Sequence, residues 1–303
     1  MDERDDEDAA GALGPDGPET NRLGAYLRAR RGLVTPEQAG IPSGPRRRVP
    51  GLRREEVAML AGISSDYYLR LERGRDHNPS PQVLEALARV LQLDDVELDY
   101  LMLLARPEPP HRTQARARAR RGAAERVPAR LHALLASIGL PAFVEGKTFD
   151  VLASNELARA LNPRLRPGEN RLRSLILDPE EHAFQIDWDR QTAGFVAAFR
   201  QQVGDDVSDA RVLELIGELS VASGRFRELW ARHDVRALGG GTTDVAHPVV
   251  GELRLHRDKL PVDDVLLVVY YADEGSETAE KLRLLASLAA GAAVPGADGK
   301  MVR

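Results

Sequence analysis

The stretch LRREEVAMLAGISSDYYLRLERG, residues 52–74, decides the fold of the first part of the chain. It predicts two short helices, over 55–60 and 65–73, separated by a break at Gly62, which can adopt the positive φ of a tight turn. Ser64 is a good N-cap for the second helix. Apolar and small side chains are spaced to meet behind the helix crossing: Val57, Ala58, Ile63, Tyr68 and Leu71. This pattern is typical of a helix-turn-helix, whose second helix enters the major groove of DNA.

The charge distribution around this motif points to a polyanionic partner. The whole chain of 303 residues carries a net charge of −5. Residues 21–75 nevertheless contain twelve arginines and only five acidic residues, whereas residues 1–20 contain eight acidic residues and one arginine. A basic block can be a solvated surface alone, but a basic block that contains a helix-turn-helix pattern favours nucleic acid as the partner.

The composition excludes several classes of protein. The absence of cysteine excludes disulfides, a thiol nucleophile and a thiolate zinc site. The chain has no apolar run long enough to cross a membrane, and its acidic N-terminus lacks the apolar core of a signal peptide, so we expect a cytoplasmic, nucleoid-associated protein. It has no nucleophile-elbow, P-loop or dinucleotide motif, and His233 and His247 lack metal-ligand spacing. We therefore expect neither an enzyme nor a bound cofactor.

Pattern and composition divide the chain into five segments, with an all-α five-helix domain followed by an α/β (α+β) domain. Short strands are predicted around Gly146 and over 249–260 and 264–273, and a long helix is predicted over 179–204. The segments are a disordered acidic tail (1–20), the helix-turn-helix domain (21–106), an Arg- and Pro-rich linker (107–127), the second domain (128–290) and a flexible tail (291–303).

Several phrases of the sequence resemble one family of regulators. The first half contains PRRRVPGLRREEVAMLAGIS, YYLRLERGR and PSPQVLEALARVLQL, and the second contains DVLASN, FQIDW, LIGELSVASGRFRELWARHDVR and HPVVGELRL. The first half resembles the XRE (Cro/cI-type) helix-turn-helix, and the whole resembles the MmyB-like regulators of actinobacteria. The resemblance implies a transcription factor with a PAS-like C-terminal domain for a small, fatty-acid-like effector. Ser154 stands where the family would have a tryptophan, and Gly239–Gly241 is a more flexible junction than usual.

The resemblance places the groove-facing residues in the first turns of the second helix of the motif. Arginine suits guanine, aspartate can accept from cytosine, and tyrosine can touch a phosphate or a thymine methyl group. The alternative for Arg70 is a salt bridge to a neighbouring acid, and Asp66 can simply complement the helix dipole. The candidate contacts are Arg54, Ser64, Ser65, Asp66, Tyr67 and Arg70. Arg54 begins the first helix of the motif, where its guanidinium could clamp a phosphate.

A run of three arginines between Pro45 and Pro50 supplies further candidate contacts. The flanking prolines keep the run out of a helix. An arginine arm of this kind can lie in a narrow minor groove, or it can be a disordered arm that contacts only phosphates. The residues of this run are Arg46, Arg47 and Arg48.

Large aromatic side chains in the second half are candidates for an effector pocket, although each could instead fill an ordinary core. They are Phe143, Trp188, Phe195, Phe199, Trp230 and Tyr271.

Together with the resemblance, the motif and these residues predict a regulator that binds a palindromic operator in double-stranded DNA as a homodimer. The regulator is expected to respond to a hydrophobic effector, with a fatty acid as the expected type. The alternative is an antitoxin-like, DNA-tethered protein-interaction module without a small-molecule effector. An enclosed cavity would favour the first reading and a sizeable exposed apolar patch the second.

Overall fold

The computed structural model describes residues 21–42, 47, 49–76, 78–106, 126–204, 209–237 and 239–292. The chain divides into two compact units, with the boundary between Glu108 and Pro109. The predicted acidic tail lies outside the described residues, as do residues 107–125 of the predicted linker and residues 293–303 of the predicted C-terminal tail.

The described part of the first unit consists of helices, as predicted. Tyr26, Leu27, Tyr68 and Leu101 are buried at its core. Ser80 caps α4 ahead of Pro81, and Asp94 forms a capping box with Glu97 at the start of α5. The helices are α1 (Arg22–Leu33), α2 (Arg54–Ala61), α3 (Ser65–Glu72), α4 (Pro81–Val90) and α5 (Asp95–Leu104).

The second unit is built on an antiparallel five-stranded sheet, which confirms the α+β prediction. The strands run in the order β2-β1-β5-β4-β3 across the sheet. Their bounds are β1 (Ala142–Glu145), β2 (Val151–Ser154), β3 (Gly241–His247), β4 (Gly251–Val262) and β5 (Val265–Tyr271). The predicted strands on either side of Gly146 and the predicted strands β4 and β5 are therefore present.

Helices cover both faces of this sheet. On one face, α6 (Ala129–Ser137) packs Leu131 and Leu135 against Val144 and Leu267. The opposite face, which we call the inner face, carries Phe143, Leu253, Leu255 and Val268, against which α7 and α13 pack. The helices after α6 are α7 (Glu156–Leu161), α8 (Arg171–Leu177), α9 (Pro179–Phe184), α10 (Trp188–Val203), α11 (Ala210–Ala222), α12 (Gly224–Ala231) and α13 (Glu277–Ala292). Alternation along each strand separates the two faces.

One expectation about this unit is wrong. The long helix predicted from Pro179 is broken into α9 and α10 because the chain between them pairs with the sheet: Gln185 bridges to Val245, and the Ile186 N–H donates to the Asp244 carbonyl at 3.2 Å. Asp187 then caps α10. Of the glycine-rich junction, Gly241 begins β3, which pairs along its whole length with β4.

Candidate functional site

The turn of the helix-turn-helix is built as the sequence predicts. Gly62 ends α2 with φ of 69°, and the Ile63 N–H donates to the Ala58 carbonyl at 3.0 Å. Ser64 then begins α3, its hydroxyl accepting from the Tyr67 N–H at 3.1 Å. Val57, Ala58, Tyr68 and Leu71 are fully buried behind the crossing. The turn therefore fixes α3 against α2, and the N-terminal half of α3 faces the solvent.

The outward face of α3 carries side chains that interlock with one another. Ser65 and Asp66 are exposed, and Tyr67 and Arg70 are half-buried. Arg70 forms an ion pair with Asp66, and its guanidinium lies 5.4 Å from the centre of the Tyr67 ring. The alternative of a salt bridge at Arg70 is therefore what the structure has. Such a pair exposed to water contributes little to stability and can open when a base edge offers a better partner.

Glu72 is the electrostatic centre of the first unit. Its carboxylate is buried and accepts from Arg31 Nε at 2.6 Å and from Arg54 Nε at 2.6 Å. Burial alone would raise the pKa of Glu72, but the hydrogen bonds from Arg31 and Arg54 hold it below its usual value. Arg54 is held by one edge of its guanidinium, while 42% of its side chain is exposed. That exposed part can still meet a phosphate.

Gly24 allows α1 to approach this centre. A Cβ atom at Gly24 would lie 2.2 Å from the carbonyl oxygen of Glu72, which is backbone and cannot move aside cheaply. The same carbonyl accepts from Asn21 Nδ2 at 2.8 Å and from Arg28 Nη2 at 3.2 Å. The C-terminal end of α3 is thus fixed by α1, so the exposed face of α3 stands on a rigid support.

Arg47 does not form an extended arm. Its guanidinium bonds to both carboxylate oxygens of Glu56, at 2.8 and 2.6 Å, and to the carbonyls of Val49 and Gly51. Only 15% of the side chain is exposed, because these four hydrogen bonds hold it against α2. Because its guanidinium already has these partners within the unit, we leave Arg47 out of the proposed DNA contacts. Arg46 and Arg48 lie outside the described residues.

A small cavity lies under the inner face of the sheet in the second unit. Its volume of about 20 Å³ suffices for one water molecule. Polar and apolar side chains line it: Leu161, Asn162, Leu165, Arg171, Glu181, Phe184, Gln185, Gln191, Phe195, Thr243, Val245, Leu255, Arg257 and Tyr270. Of the six aromatic residues predicted to bind an effector, only Phe195 lines this cavity.

The other predicted aromatic residues serve packing. Phe143 is fully buried and stacks with Tyr270. Phe199 and Trp230 pack in the cluster around α10 and α12, and Trp188 donates its Nε1–H to the Leu175 carbonyl at 2.7 Å. Tyr271 lies on the face of the sheet opposite the cavity, where its hydroxyl donates to Asp258 at 2.9 Å. In this structure most of the set therefore packs against neighbouring side chains. The sequence leaves both roles open because an aromatic ring can fill a core as well as line a pocket.

Beside the cavity lies a buried cluster of charges. Glu145 is fully buried and accepts from Lys259 Nζ at 2.6 Å and from Arg171 Nη1 at 2.8 Å. Burial alone would raise the pKa of Glu145, but the charges of Lys259 and Arg171 hold it below its usual value. Burial also lowers the pKa of Lys259 to about 8, against the opposing effect of Glu145. These ionic groups are stable inside the unit because they are paired.

Sequence reasoning missed these charged residues, although a signal was available. On β4 the residues Leu253, Leu255, Arg257 and Lys259 are spaced by two, so a strand places both bases on the same face as the leucines. Since the leucines must face the core, the bases must face it too. A buried basic side chain is a stronger indication of a ligand or ion pair than a buried phenylalanine.

The two histidines considered as metal ligands are held by hydrogen bonds. His247 Nδ1 accepts from the Val249 and Val250 N–H groups, and its Nε2–H donates to the Ala160 carbonyl at 3.0 Å. His233 Nδ1 accepts from Arg200 at 3.2 Å. Within the described ranges, no group of three or more metal-ligating side chains occurs.

His233 should make the second unit sensitive to acid. Burial and the charge of Arg200 lower the pKa of His233 to about 4, whereas the unfolded chain has an ordinary value. The unfolded state therefore binds the proton more readily, and stability is lost as the pH falls from about 6.5 towards 4. The loss should reach up to about 3 kcal/mol. His233→Asn, which tolerates the φ of 56° here, should flatten this dependence in urea titrations followed by tryptophan fluorescence.

His132→Asn is the matched control, because His132 is exposed on α6. Its pH dependence of unfolding should match that of the wild type. The assignment would be wrong if the two variants showed the same slope between pH 6.5 and 4.

Comparisons with known families agree with the two-unit fold. The model described as a helix-turn-helix domain matches residues 22–101, and the model described as the MmyB-like transcription regulator ligand binding domain matches residues 127–285. A search of curated proteins found no match. None of the helices in the described part of the chain is both long and apolar enough to span a membrane.

A helix-turn-helix DNA-binding domain joined to a ligand-binding domain defines a ligand-responsive transcription regulator. More particularly, the chain belongs to the family of MmyB-like transcription regulators, whose ligand-binding domain accounts for more than half of its length.

Proposed function

We propose that the protein is a cytoplasmic, nucleoid-associated and non-catalytic XRE-type regulator that binds a palindromic operator as a homodimer. In this proposal α3 reads the operator, and the PAS-like second unit binds a hydrophobic small molecule such as a fatty acid. The observation that carries the proposal is the outward face of α3, held rigidly on a helix-turn-helix. The antiparallel sheet with a cavity under its inner face supports the effector role.

Within α3, the residues that stand outward divide by their expected role. Arg70 and Tyr67 carry the larger side chains of this face and suit base edges. Ser65 and Asp66, in the first turn, suit a phosphate and a cytosine amino group, respectively. Arg54 on α2 is half-exposed beside them and suits a phosphate. Ser64 is occupied as the N-cap, so we assign it to positioning rather than to contact.

Substitutions on α3 should change base preference rather than general affinity. Arg70→Ala or Tyr67→Ala should cost about 1–3 kcal/mol on the specific operator and relax the preference at particular base pairs. Arg54→Ala should weaken binding to every sequence and lower the slope of log affinity against log salt by about one. Fluorescence anisotropy with operator and random duplexes at several salt concentrations would measure both effects.

The matched control is Arg89→Ala, because Arg89 is exposed on α4, outside the motif. It should leave base preference unchanged. If Arg70→Ala and Tyr67→Ala bound operator and random DNA like the control, α3 would not be the recognition helix.

Homodimer formation follows from the small number of base pairs that one helix-turn-helix contacts. Two copies on a palindrome place their recognition helices about 34–36 Å apart, one turn of DNA. The helix α5 carries the apolar residues Val96, Leu98, Leu101 and Leu104, which are candidates for a contact between protomers. Leu101 is fully buried within its own unit, which leaves the other three, each half-buried, for such a contact.

An effector must enlarge the cavity, because about 20 Å³ cannot hold an acyl chain. Binding and opening are then coupled, and the effector shifts the protein towards the open arrangement by its differential affinity alone. Linkage requires that the operator change effector affinity by the same factor by which the effector changes operator affinity. Calorimetric titration of decanoate with and without operator duplex tests this. If decanoate fills the cavity but binds with the same affinity in both titrations, the second unit does not regulate operator binding.

A second function is favoured by one other observation. An open groove of about 510 Å³ lies between α6, α7 and α13 and includes Leu135, Ile138 and Ala289 in its lining. A groove that is open to solvent and carries apolar side chains suits a segment of a protein partner. A DNA-tethered interaction module would use this groove and would show no response to decanoate in the titration above.

A further inference from the structure

The helix α11 carries apolar side chains on two opposite sides. Its inner side packs into the core of the second unit through Leu215 and Leu219, which are fully buried. Its outer side presents a second row with a spacing of four residues, and every member of this row is exposed. The row consists of Leu213, Gly217 and Val221. Residues four apart form one ridge along a helix, so we call this row the outer ridge.

Gly217, in the middle of the outer ridge, has no role in packing within the chain. Glycine inside a helix lowers its stability relative to alanine, because glycine has more backbone freedom to lose. At Gly24 the carbonyl of Glu72 leaves no room for a Cβ atom, which explains the glycine there. At Gly217 a Cβ atom would meet no atom of the described chain within 4 Å, apart from its own helix. The missing side chain would instead let a helix of another molecule approach closely.

The residues on either side of Gly217 give the ridge its shape. Leu213 lies one turn before the glycine and is 42% exposed, and Val221 lies one turn after it and is 86% exposed. Two apolar side chains with a gap between them are complementary to the same ridge on a second helix. Ridges of this spacing interdigitate when two helices cross at about −50°, the commonest arrangement of packed helices.

The charges around the ridge are complementary to a second copy of the same surface. Glu214 pairs with Arg211, but 65% of its side chain is exposed. At the other end of the ridge, Arg227 of α12 donates to the Ser220 carbonyl at 2.6 Å. An antiparallel crossing of two copies at Gly217 would place the C-terminal end of each α11 beside the N-terminal half of the other. Each Arg227 would then lie beside Glu214 of the second copy.

We propose that the outer ridge of α11 is a dimerisation surface whose partner is a second copy of this chain, with the two-fold axis at Gly217. The proposal rests on the proposed function, since it places a contact of the homodimer in the second unit. With 13 residues, α11 is about 20 Å long, so the interface is small and its affinity low. A palindromic operator holds two copies together and shifts this equilibrium towards the dimer.

Gly217→Gln tests the surface without endangering the fold. Glutamine is a better helix former than glycine, and no neighbouring atom obstructs a side chain at this position in the single chain. Sedimentation equilibrium of the full chain should show a dimer dissociation constant raised by about tenfold or more, because the crossing point is overpacked. At concentrations where the protein is monomeric, the urea midpoint of unfolding should be unchanged or higher.

Ala133→Gln is the matched control for this variant. Ala133 is exposed on α6, so glutamine there enlarges another helix surface of the same unit. The dissociation constant of this variant should equal that of the wild type.

Charge reversal tests the two-fold arrangement. Glu214→Arg and Arg227→Glu each place like charges opposite one another at both contacts, so each variant alone should dimerise about tenfold more weakly. In a mixture of the two variants, a heterodimer has opposite charges at both contacts. The mixture should therefore form dimers with a dissociation constant close to that of the wild type, measured with a fluorescent label on one variant.

Two outcomes would overturn the inference. One is an equal dissociation constant for Gly217→Gln and Ala133→Gln, and the other is a mixture of charge variants that dimerises no better than either variant alone. The homodimer would then pair through another surface, and the proposed function would stand. A wild type that stays monomeric both free and on the operator would contradict the proposed homodimer together with this surface.

Discussion

Glu72→Gln should lower the free energy of unfolding of the helix-turn-helix unit by about 3–5 kcal/mol. The substitution keeps the size of the side chain but removes the charge that holds Arg31 and Arg54. Arg31 is 15% exposed and would remain as a buried cation without its carboxylate. The end of α3 would lose its link to α1, so operator affinity should fall as well.

The two units can be followed separately in the intact chain. Both tryptophans lie in the second unit, whereas far-ultraviolet circular dichroism reports helices in both. Urea unfolding of Glu72→Gln should therefore move an early transition seen by circular dichroism and leave the fluorescence transition in place. Glu55→Gln, at an exposed position in α2, is the control. Equal transitions in the two variants would show that Glu72 does not stabilise the unit.

Glu145→Gln should have a comparable effect on the second unit, again about 3–5 kcal/mol. Without this carboxylate, Arg171 and Lys259 would both lose their only described anionic partner, with Arg257 beside them. Mutual repulsion in a low-dielectric interior would add to the cost. The tryptophan fluorescence transition should move to lower urea concentration.

A double substitution separates charge from packing. Adding Lys259→Met to Glu145→Gln should recover part of the lost stability, because it removes one of the uncompensated cations and keeps an unbranched side chain. Glu228→Gln, at an exposed site on α12, controls for loss of an acidic residue. Strictly additive losses in the double variant would contradict the electrostatic explanation.

Local patterns were enough to predict the first unit. The turn at Gly62, the cap at Ser64 and the buried positions behind the crossing all follow from interactions between residues a few positions apart. Such interactions are visible in the sequence because helix geometry relates neighbours in the chain to neighbours in space.

The second unit was predicted less well where the sheet joins distant segments. The break between α9 and α10 depends on pairing between Gln185 and Val245, sixty residues further along the chain. The strand β3 depends on β4 in the same way, since its own sequence, GTTDVAH, is rich in residues that also suit loops.

The sequence by itself determined the helix-turn-helix, the α+β class of the second unit and the family resemblance. Only the tertiary structure decided how each charged side chain is used. It placed Arg47 on Glu56, joined Arg31 and Arg54 at Glu72, and brought Arg171, Arg257 and Lys259 around the Phe195 ring. The physical reason is that the interaction energy of two charges depends on their distance and burial in the folded chain, and sequence separation fixes neither.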